Sequence, residues 1–406
     1  MKILIVETDD CGGLLHFTFQ FASSLQQAGA DVTMLANHNH ELADIEQPFR
    51  VDASLRFWSR VSPPDKRSKR RFLRKIIRAG ITVREWIHIV RIIHREKPDY
   101  TIFGLLRNPI EAAAISYLRW RGYRLIDVCH EFILREKKGR VSNFINAKLM
   151  KFLYTRFSSI IFLSEKVILD FKCSVVSDVN AHWIPHGPEA LFDVDEREQE
   201  VLARRYGLRK DEPIVLFFGG LRPSKGLDIL VKAFSLIPPG KAKLLIVGYP
   251  SQEFDLVELQ TQIDHLDRTR DIILDPRYVP MNEVGSLVAL SSLVVFPYKS
   301  ATASGALSLA HSQGRATIAS DVGGLSEAIQ HGINGWLVPP NDIEALGDAM
   351  VHLLQDHHFR TALGDAARER MEIENNWKVI GERVVRILEW DATERRSHKE
   401  CVVTMP

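Results

Sequence analysis

The stretch Phe217-Phe218-Gly219-Gly220-Leu221-Arg222-Pro223-Ser224-Lys225-Gly226-Leu227-Asp228 decides the fold class. The run 214–218 just before the glycines is short and continuously apolar, the pattern of a strand buried on both faces of a parallel sheet. Paired glycines follow, then two cations three residues apart, and an amphipathic helix begins directly after them. Glycine lets a backbone pass close to a ligand, and the N-terminus of a helix favours an anion. Arg222 and Lys225 add full positive charges at the same place. The combination is expected of a diphosphate site on a doubly wound α/β domain. The alternative is a strand-to-helix turn with two solvated cations.

The alternation of strand and helix extends in both directions. Upstream, strands are predicted at 2–6, 31–36, 100–103, 124–128 and 159–163, with Gly12-Gly13 and a helix over 14–28 after the first. A last strand leads into Ile184-Pro185-His186-Gly187, and a charged linker with a helix near 196–206 precedes the restart at Ile214. Downstream, strands are predicted at 243–247, 272–274, 293–296, 316–319 and 335–338. Helical patterns fill the gaps, the signature of parallel sheets with crossover helices. The expected architecture is two doubly wound domains, 1–190 and 191–376, facing a central cleft. A last helical pattern covers 377–390, and the tail after Asp391 reads as polar and mobile.

Bulk properties narrow the function classes. A length of 406 residues suits about two domains, and 45% hydrophobic with 26% charged residues is ordinary globular composition. A net charge of +2 excludes a general polyanion binder. Cys11, Cys129, Cys173 and Cys401 are scattered, which excludes a metal knuckle or a redox CxxC pair and fits a reduced compartment. The first apolar run ends at Glu7, too short for a signal peptide. No stretch approaches the ~18 uninterrupted apolar residues of a span. A cytoplasmic protein is expected.

Further loops in the second half follow strands on the same side of the sheet. Gly248 ends one strand. Tyr278-Val279-Pro280 follows the next. Pro297-Tyr298-Lys299-Ser300-Ala301-Thr302-Ala303-Ser304-Gly305 leads into a helix, and Asp321-Val322-Gly323-Gly324-Leu325-Ser326-Glu327 follows the strand after that. Small residues from Thr302 to Ala306 leave backbone N–H groups to hold phosphate oxygens. Together with Arg222 and Lys225, these loops point to a nucleoside-diphosphate site.

The order of the loops resembles the retaining glycosyltransferases of family 4, which have the GT-B fold of two Rossmann-like domains. The resemblance is carried by the Gly12-Gly13 loop, by Ile184-Pro185-His186-Gly187, by the turn from Gly220 to Gly226, by Tyr278-Val279-Pro280, and by the run 296–339. That run includes His331-Gly332-Ile333-Asn334-Gly335-Trp336-Leu337-Val338-Pro339. The likeness is dense in the second half and sparse in the first. It implies a retaining, metal-independent transfer of a sugar from a nucleotide sugar, UDP- or GDP-linked, to a hydroxyl of a polysaccharide or lipid-linked glycan, with no cofactor. It also implies roles. Arg222 and Lys225 neutralise the diphosphate beside Gly220, the backbone near Val279 meets the base, and the helix entered at Ser304-Gly305 points at the phosphates. Gly12 and Gly13 pass close to donor and acceptor. His130, in Asp127-Val128-Cys129-His130-Glu131-Phe132, faces the transferred sugar. The alternative for His130 is a hydrogen-bonded histidine at a strand end. In the family the final helix crosses back to the first domain, and 377–406 is expected to do so here.

One departure from the family pattern stands out. A pair of glutamates usual in the family falls at Ala301 and Leu309, and neither is acidic. The segment resembles a divergent branch seen among polysaccharide-assembly transferases. Ribose and sugar would then be held by other groups, with Glu327 and Ser304 as candidates. Two further readings stay open: a non-catalytic GT-B protein that binds a nucleotide or another transferase, and a nucleotide-sugar epimerase.

The charge is uneven. Lys66, Arg67, Lys69, Arg70, Arg71, Arg74, Lys75 and Arg78 occur with no acidic residue among them. Phe72, Leu73, Ile76 and Ile77 share a helical face, and Trp86, Ile87, Ile89, Val90, Ile92 and Ile93 continue the apolar pattern. The segment reads as an amphipathic face for anionic lipid on the inner side of the cell membrane, or else as a solvated charged loop before a core helix. Nucleic acid is not expected, because no aromatic stacking array accompanies the charge.

Overall fold

The apolar runs pair in parallel into two sheets, in a computed structural model that describes residues 1–59, 68–104, 109–131, 148–175 and 179–403. The chain divides into two units. One comprises Met1–Pro185 with Trp377–Pro406, and the other His186–Asn376. The division thus falls five residues before the position 190 read from the sequence.

The first unit holds β1 (Lys2–Val6), β2 (Asp31–Asn37), β3 (Arg50–Leu55), β4 (Tyr100–Phe103), β5 (Leu125–Cys129), β6 (Ser159–Phe162) and β7 (Asn180–Trp183). Their order across the sheet is β3-β2-β1-β4-β5-β6-β7, all parallel. Helices α1 (Gly13–Gln27), α2 (Ser68–Glu96), α3 (Pro109–Trp120) and α4 (Glu165–Val175) make the crossovers. The edge strand β3 is absent from the sequence reading. Its residues are mostly half-exposed, so it lacks the continuous apolar run that marks β1 or β4.

The second unit repeats the winding. It holds β8 (Ile214–Phe218), β9 (Lys243–Val247), β10 (Ile272–Asp275), β11 (Leu293–Phe296), β12 (Thr317–Ser320) and β13 (Trp336–Val338), in the order β10-β9-β8-β11-β12-β13. Its helices are α5 (Glu196–Arg205), α6 (Leu227–Phe234), α7 (Leu256–His265), α8 (Met281–Ala289), α9 (Gly305–Ser312), α10 (Leu325–Ala328), α11 (Ile343–Gln355) and α12 (His357–Ile373). Asp195, Asp255, Asp342 and Asp356 cap α5, α7, α11 and α12 by accepting backbone N–H groups, which is why these helices start where they do. In both sheets the strand order reverses beside the first strand, between β1 and β4 and between β8 and β11. Such a switch point opens a crevice at the carboxyl ends of the strands.

The last helix, α13 (Trp377–Val403), belongs to the first unit. Ile380, Val384 and Leu388, each four residues apart, are fully buried. Each contributes about 1.5–3 kcal/mol by leaving water. Gly381 lets the helix approach α1, because a Cβ there would strike the Ser24 carbonyl. The Tyr100 hydroxyl donates to the Leu388 carbonyl at 2.6 Å, and Trp377 Nε1 donates to Gln20 Oε1 at 3.2 Å. The helix runs on to Val403, past the end at 390 read from the sequence. Residues 392–400 include Ala, Glu, Arg and Lys and no Gly or Pro, so nothing in the sequence stops the helix.

Candidate functional site

The turn after β8 is built by glycines that no other residue replaces cheaply. Gly219 has φ 137° and Gly226 φ 66°. A Cβ on Gly226 would strike the Pro297 carbonyl, and one on Gly248 the Gly219 carbonyl. The loops after β8, β9 and β11 are therefore in backbone contact. Hydrogen bonds fix the arrangement: Leu221 N–H donates to Tyr249 O at 2.9 Å, Ser251 N–H to Leu221 O at 2.9 Å, and Lys299 N–H to Ser224 O at 2.8 Å. Arg222 precedes and Lys225 ends a single 3₁₀ turn over Pro223–Lys225, and Gly226 in the left-handed conformation starts α6.

Tyr298 gathers the charged groups. Lys225 Nζ lies 3.5 Å from the Tyr298 ring centroid. The Tyr298 hydroxyl is 3.4 Å from Ser304 Oγ, and Ser304 caps α9 by accepting Leu307 N–H at 3.3 Å. Burial pushes the Tyr298 phenol up to about 12, against the Ser304 hydrogen bond and the charge of Arg222. Tyr298 stays a neutral hydroxyl, and its face holds the Lys225 ammonium, a cation–π contact of about 0.5–2 kcal/mol. Lys299 is engaged with Asp228 at 2.9 Å. Arg222, Lys225, Tyr298 and the N-terminus of α9 thus meet at the switch point between β8 and β11. That constellation suits an oxyanion with more than one charge.

Gly305 begins α9. A Cβ there would lie 3.4 Å from Glu189 Oε1 and 3.6 Å from His186 Nε2, so the loop 186–189 sits against the helix start. His186 Nδ1 is 2.9 Å from the Gly187 carbonyl. Glu327 stands in the first turn of α10, after β12, and Gly323 lets that loop touch the Ala301 carbonyl.

Val279 is buried after β10, on a loop held by an ionic network. Arg277 Nε meets Asp275 Oδ2 at 2.7 Å, Arg277 also reaches Glu283, and Arg205 meets Glu283 at 2.7 Å. The Tyr206 hydroxyl donates to Asp275 at 2.8 Å. Burial works against the Arg277 charge, but hydrogen bonds to Asp275, Tyr206 and Glu283 outweigh it and hold the guanidinium above its ordinary value.

In the first unit, Gly12 has φ 90° and precedes α1. Its N–H donates to Glu41 Oε1, and His16 Nε2 lies 2.6 Å from the same oxygen. Glu41 N–H in turn donates to the Asp10 carbonyl at 2.9 Å. Gly13 is the first residue of α1. His130 follows β5, its ring edge-on to Phe17 with centroids 4.8 Å apart.

The structure thus brings together Gly220, Arg222, Lys225, Ser304 and Gly305 at one end of the second sheet, with Val279 and Glu327 on loops at the same carboxyl edge. Gly12, Gly13 and His130 lie in the other unit. The sequence reading does not single out Tyr298, Glu189 or Arg277. An aromatic residue directly after the strand-ending Pro297 is the one signal that could have drawn attention to Tyr298. Leu309 is 1% exposed within the apolar core, and Ala301 is buried.

Three comparisons bear on this geometry. Residues 212–356 match the family model Glycosyl transferases group 1. The match lies within the second unit. A Corynebacterium glutamicum GDP-mannose-dependent monoacylated alpha-(1-6)-phosphatidylinositol monomannoside mannosyltransferase is 25% identical, over 56% of this chain and 61% of its own length. A Nocardia farcinica D-inositol 3-phosphate glycosyltransferase is 35% identical, over 39% of this chain and 36% of its own. The matched stretches thus span about a third to three fifths of these relatives. Among solved structures, sucrose-phosphate synthase from Thermosynechococcus elongatus superposes with a TM-score of 0.72 at 20% identity, covering 96% of this chain and 98% of that one. HepE from Anabaena, in complex with UDP and glucose, gives 0.70 at 20% identity over 96% and 99%. The fold is GT-B.

Proposed function

We propose that the protein transfers a sugar from a nucleoside-diphosphate sugar to a hydroxyl of a glycan or lipid-linked glycan acceptor. The observation that carries this reading is the meeting of Arg222, Lys225 and the α9 N-terminus around Tyr298. Preorganised charges of this kind stabilise the negative charge that develops on a leaving diphosphate, and they do so without a metal. Because the leaving group is stabilised by fixed charges, the acceptor hydroxyl can attack from the face the diphosphate leaves, which is a retaining course with no side-chain nucleophile. HepE, whose fold this chain shares, is described with UDP-glucose, which supports a nucleotide-sugar donor. The Val279 loop, clamped by Arg277, is the place for the base. Glu327 and Ser304 are the polar side chains offered to ribose and sugar, and His130 is the first unit's candidate toward the transferred sugar.

A thermal-shift screen across UDP-, GDP-, ADP- and dTDP-sugars identifies the donor, and calorimetry measures its affinity. Arg222→Ala with Lys225→Ala weakens that affinity by about 100-fold or more, two charge-assisted contacts being lost. If wild-type protein binds none of these nucleotide sugars, the reading is wrong.

One observation favours a second reading. Leu309, where the resemblance implies a glutamate, is an apolar side chain buried in the core. A non-catalytic nucleotide-binding GT-B protein would bind the donor with the same dependence on Arg222 and Lys225 and release no nucleoside diphosphate. Release of diphosphate in the presence of a glycan acceptor separates the two readings. Release only with acceptor also excludes an epimerase.

A further inference from the structure

Helix α3 ends on a large aromatic ring that the fold leaves in water. Its buried face is Ala112, Ile115 and Leu118, at the helical spacing that packs it into the core of the first unit. Tyr117 and Trp120, three residues apart, stand off that face and are 39% and 77% exposed. Tryptophan is a highly buried residue type on average, so a ring this open calls for an explanation.

The rings are held in place. The Tyr117 and Trp120 centroids are 6.1 Å apart, with the planes at 44°. His94, near the end of α2, anchors the tyrosine. Its Nε2 is 3.2 Å from the Tyr117 hydroxyl, and its Nδ1 is 2.7 Å from the Tyr123 hydroxyl. The imidazole stands edge-on to the Tyr117 ring, centroids 5.8 Å apart. Gly122, at φ 88°, turns the chain between Trp120 and Tyr123 just before β5 begins. The three aromatic residues and His94 thus share one corner at the amino edge of the first sheet, away from the carboxyl ends of its strands.

The corner is cationic. From Ala112 to Ile126 the chain carries Arg119, Arg121 and Arg124 and no acid. Arg119 reaches Ser158 and Arg124 covers the Tyr100 ring, so both turn inward. Arg121, next to Trp120, and Arg91, one turn before His94 on α2, are exposed and form no ion pair among the described residues. The basic run from Lys66 to Arg78 is a separate feature. Its residues 60–67, and the side chains of 68–73 and 75, lie outside the described residues.

We propose that this corner is a binding platform for a glycan chain that carries carboxylate groups. The flat C–H faces of sugar rings stack on Trp120 and Tyr117, aromatic bodies with polar tips at the water boundary. Sugar hydroxyls meet the Tyr117 and Tyr123 hydroxyls, each of which can both donate and accept. Sugar carboxylates meet the guanidinium forks of Arg91 and Arg121. Charge complementarity and size select this occupant. The exposed apolar surface is two rings wide, short of the ~800 Å² that a stable protein interface buries on each partner. A second copy of the chain would set arginine against arginine. Two free arginines suit carboxylates spaced along a sugar chain, whereas a nucleic acid draws its affinity from many neutralised phosphates.

Calorimetric titration of the full chain tests it, with an alginate hexasaccharide as the acidic glycan and maltohexaose as the neutral one. The alginate binds about tenfold tighter, and the difference narrows as salt is raised. Trp120→Ala weakens alginate binding about tenfold or more, whereas Trp120→Phe stays within about threefold. Arg91→Ala with Arg121→Ala brings alginate down to the affinity of maltohexaose. All three variants melt within about 2 °C of wild type, as exposed substitutions do. No alginate binding by wild type, equal affinity for the two sugars, wild-type affinity in Trp120→Ala, or equally tight binding of an oligothymidylate or of phosphatidylglycerol vesicles each overturns the proposal. The titration needs no nucleotide sugar, so its failure is distinct from failure of the transferase reading.

Discussion

The two units open with the same device and finish it with opposite charges. After β1, Gly12 takes a positive φ and hands its N–H to the Glu41 carboxylate, with His16 against the same oxygen. After β8, Gly219 and Gly226 take positive φ, and the chain adds Arg222 and Lys225. A strand-to-helix turn at a switch point attracts an anion in either case. In the first unit the protein supplies that anion itself. In the second it supplies cations around the turn. Under the proposed reading the diphosphate goes to the second unit, where the cations are. The expectation from the sequence has Gly12 and Gly13 close to donor phosphate, and a phosphate there would have to compete with Glu41 for the Gly12 N–H.

Crowding separates the two turns most strongly. A Cβ on Gly226 meets the Pro297 carbonyl, whereas one on Gly12 has nothing within 4 Å. Gly226→Ala therefore costs about 3–5 kcal/mol, strain plus displaced backbone, and Gly12→Ala about 1 kcal/mol of conformational strain alone. Denaturant melts of the two variants measure this. Equal losses would mean that the loops after β8 and β11 are not in the contact described.

Titration separates the units in opposite senses. Burial, aided by the charge of Arg370, pushes buried His311 down to about 3. The unfolded chain takes up this proton near pH 6.5 and the folded one does not, so stability falls as the pH drops from 6.5 toward 3. The loss is about 2 kcal/mol by pH 5. His311→Gln flattens that slope in a melt series. In the first unit, burial raises the Asp127 carboxyl well above its ordinary value. The unfolded chain releases this proton in the carboxylate range and the folded one retains it, so stability falls as the pH rises above that range. Asp127→Asn is thus more stable than wild type at pH 7, with the gain shrinking on acidification. A gain that grows toward acid would contradict the buried carboxyl.

The smallest expected effect is at Glu41. Glu41→Gln removes the charge at the α1 N-terminus and costs about 0.5–1 kcal/mol, read as a small drop in melting temperature. An increase would show that Glu41 is a strained carboxylate rather than a satisfied cap.

The strands that carry the sites were legible because each is a short apolar run with a clear stop, at Glu7, Gly219, Gly248 or Pro297. β1, β8, β9 and β11 begin and end where the pattern says. β3 was not, because an edge strand exposes one side and its residues are mixed. The C-terminal helix was read too short, because polarity after Asp391 resembles a tail even where every residue tolerates a helix. At the site, Arg222 and Lys225 were visible through local spacing. Tyr298 became visible only in three dimensions, since it joins loops that are more than seventy residues apart in the chain. Glu41 was equally hidden, because its partners Gly12 and His16 sit on another loop and a helix.

The most direct test is a calorimetric titration of the full chain with the nucleoside diphosphate selected by the thermal-shift screen, repeated on Arg222→Ala/Lys225→Ala and on Glu41→Ala. The account predicts that the double variant loses about 100-fold or more in affinity, while Glu41→Ala stays within about threefold of wild type. Binding that survives loss of both cations, or that collapses with Glu41, would place the diphosphate at the other turn.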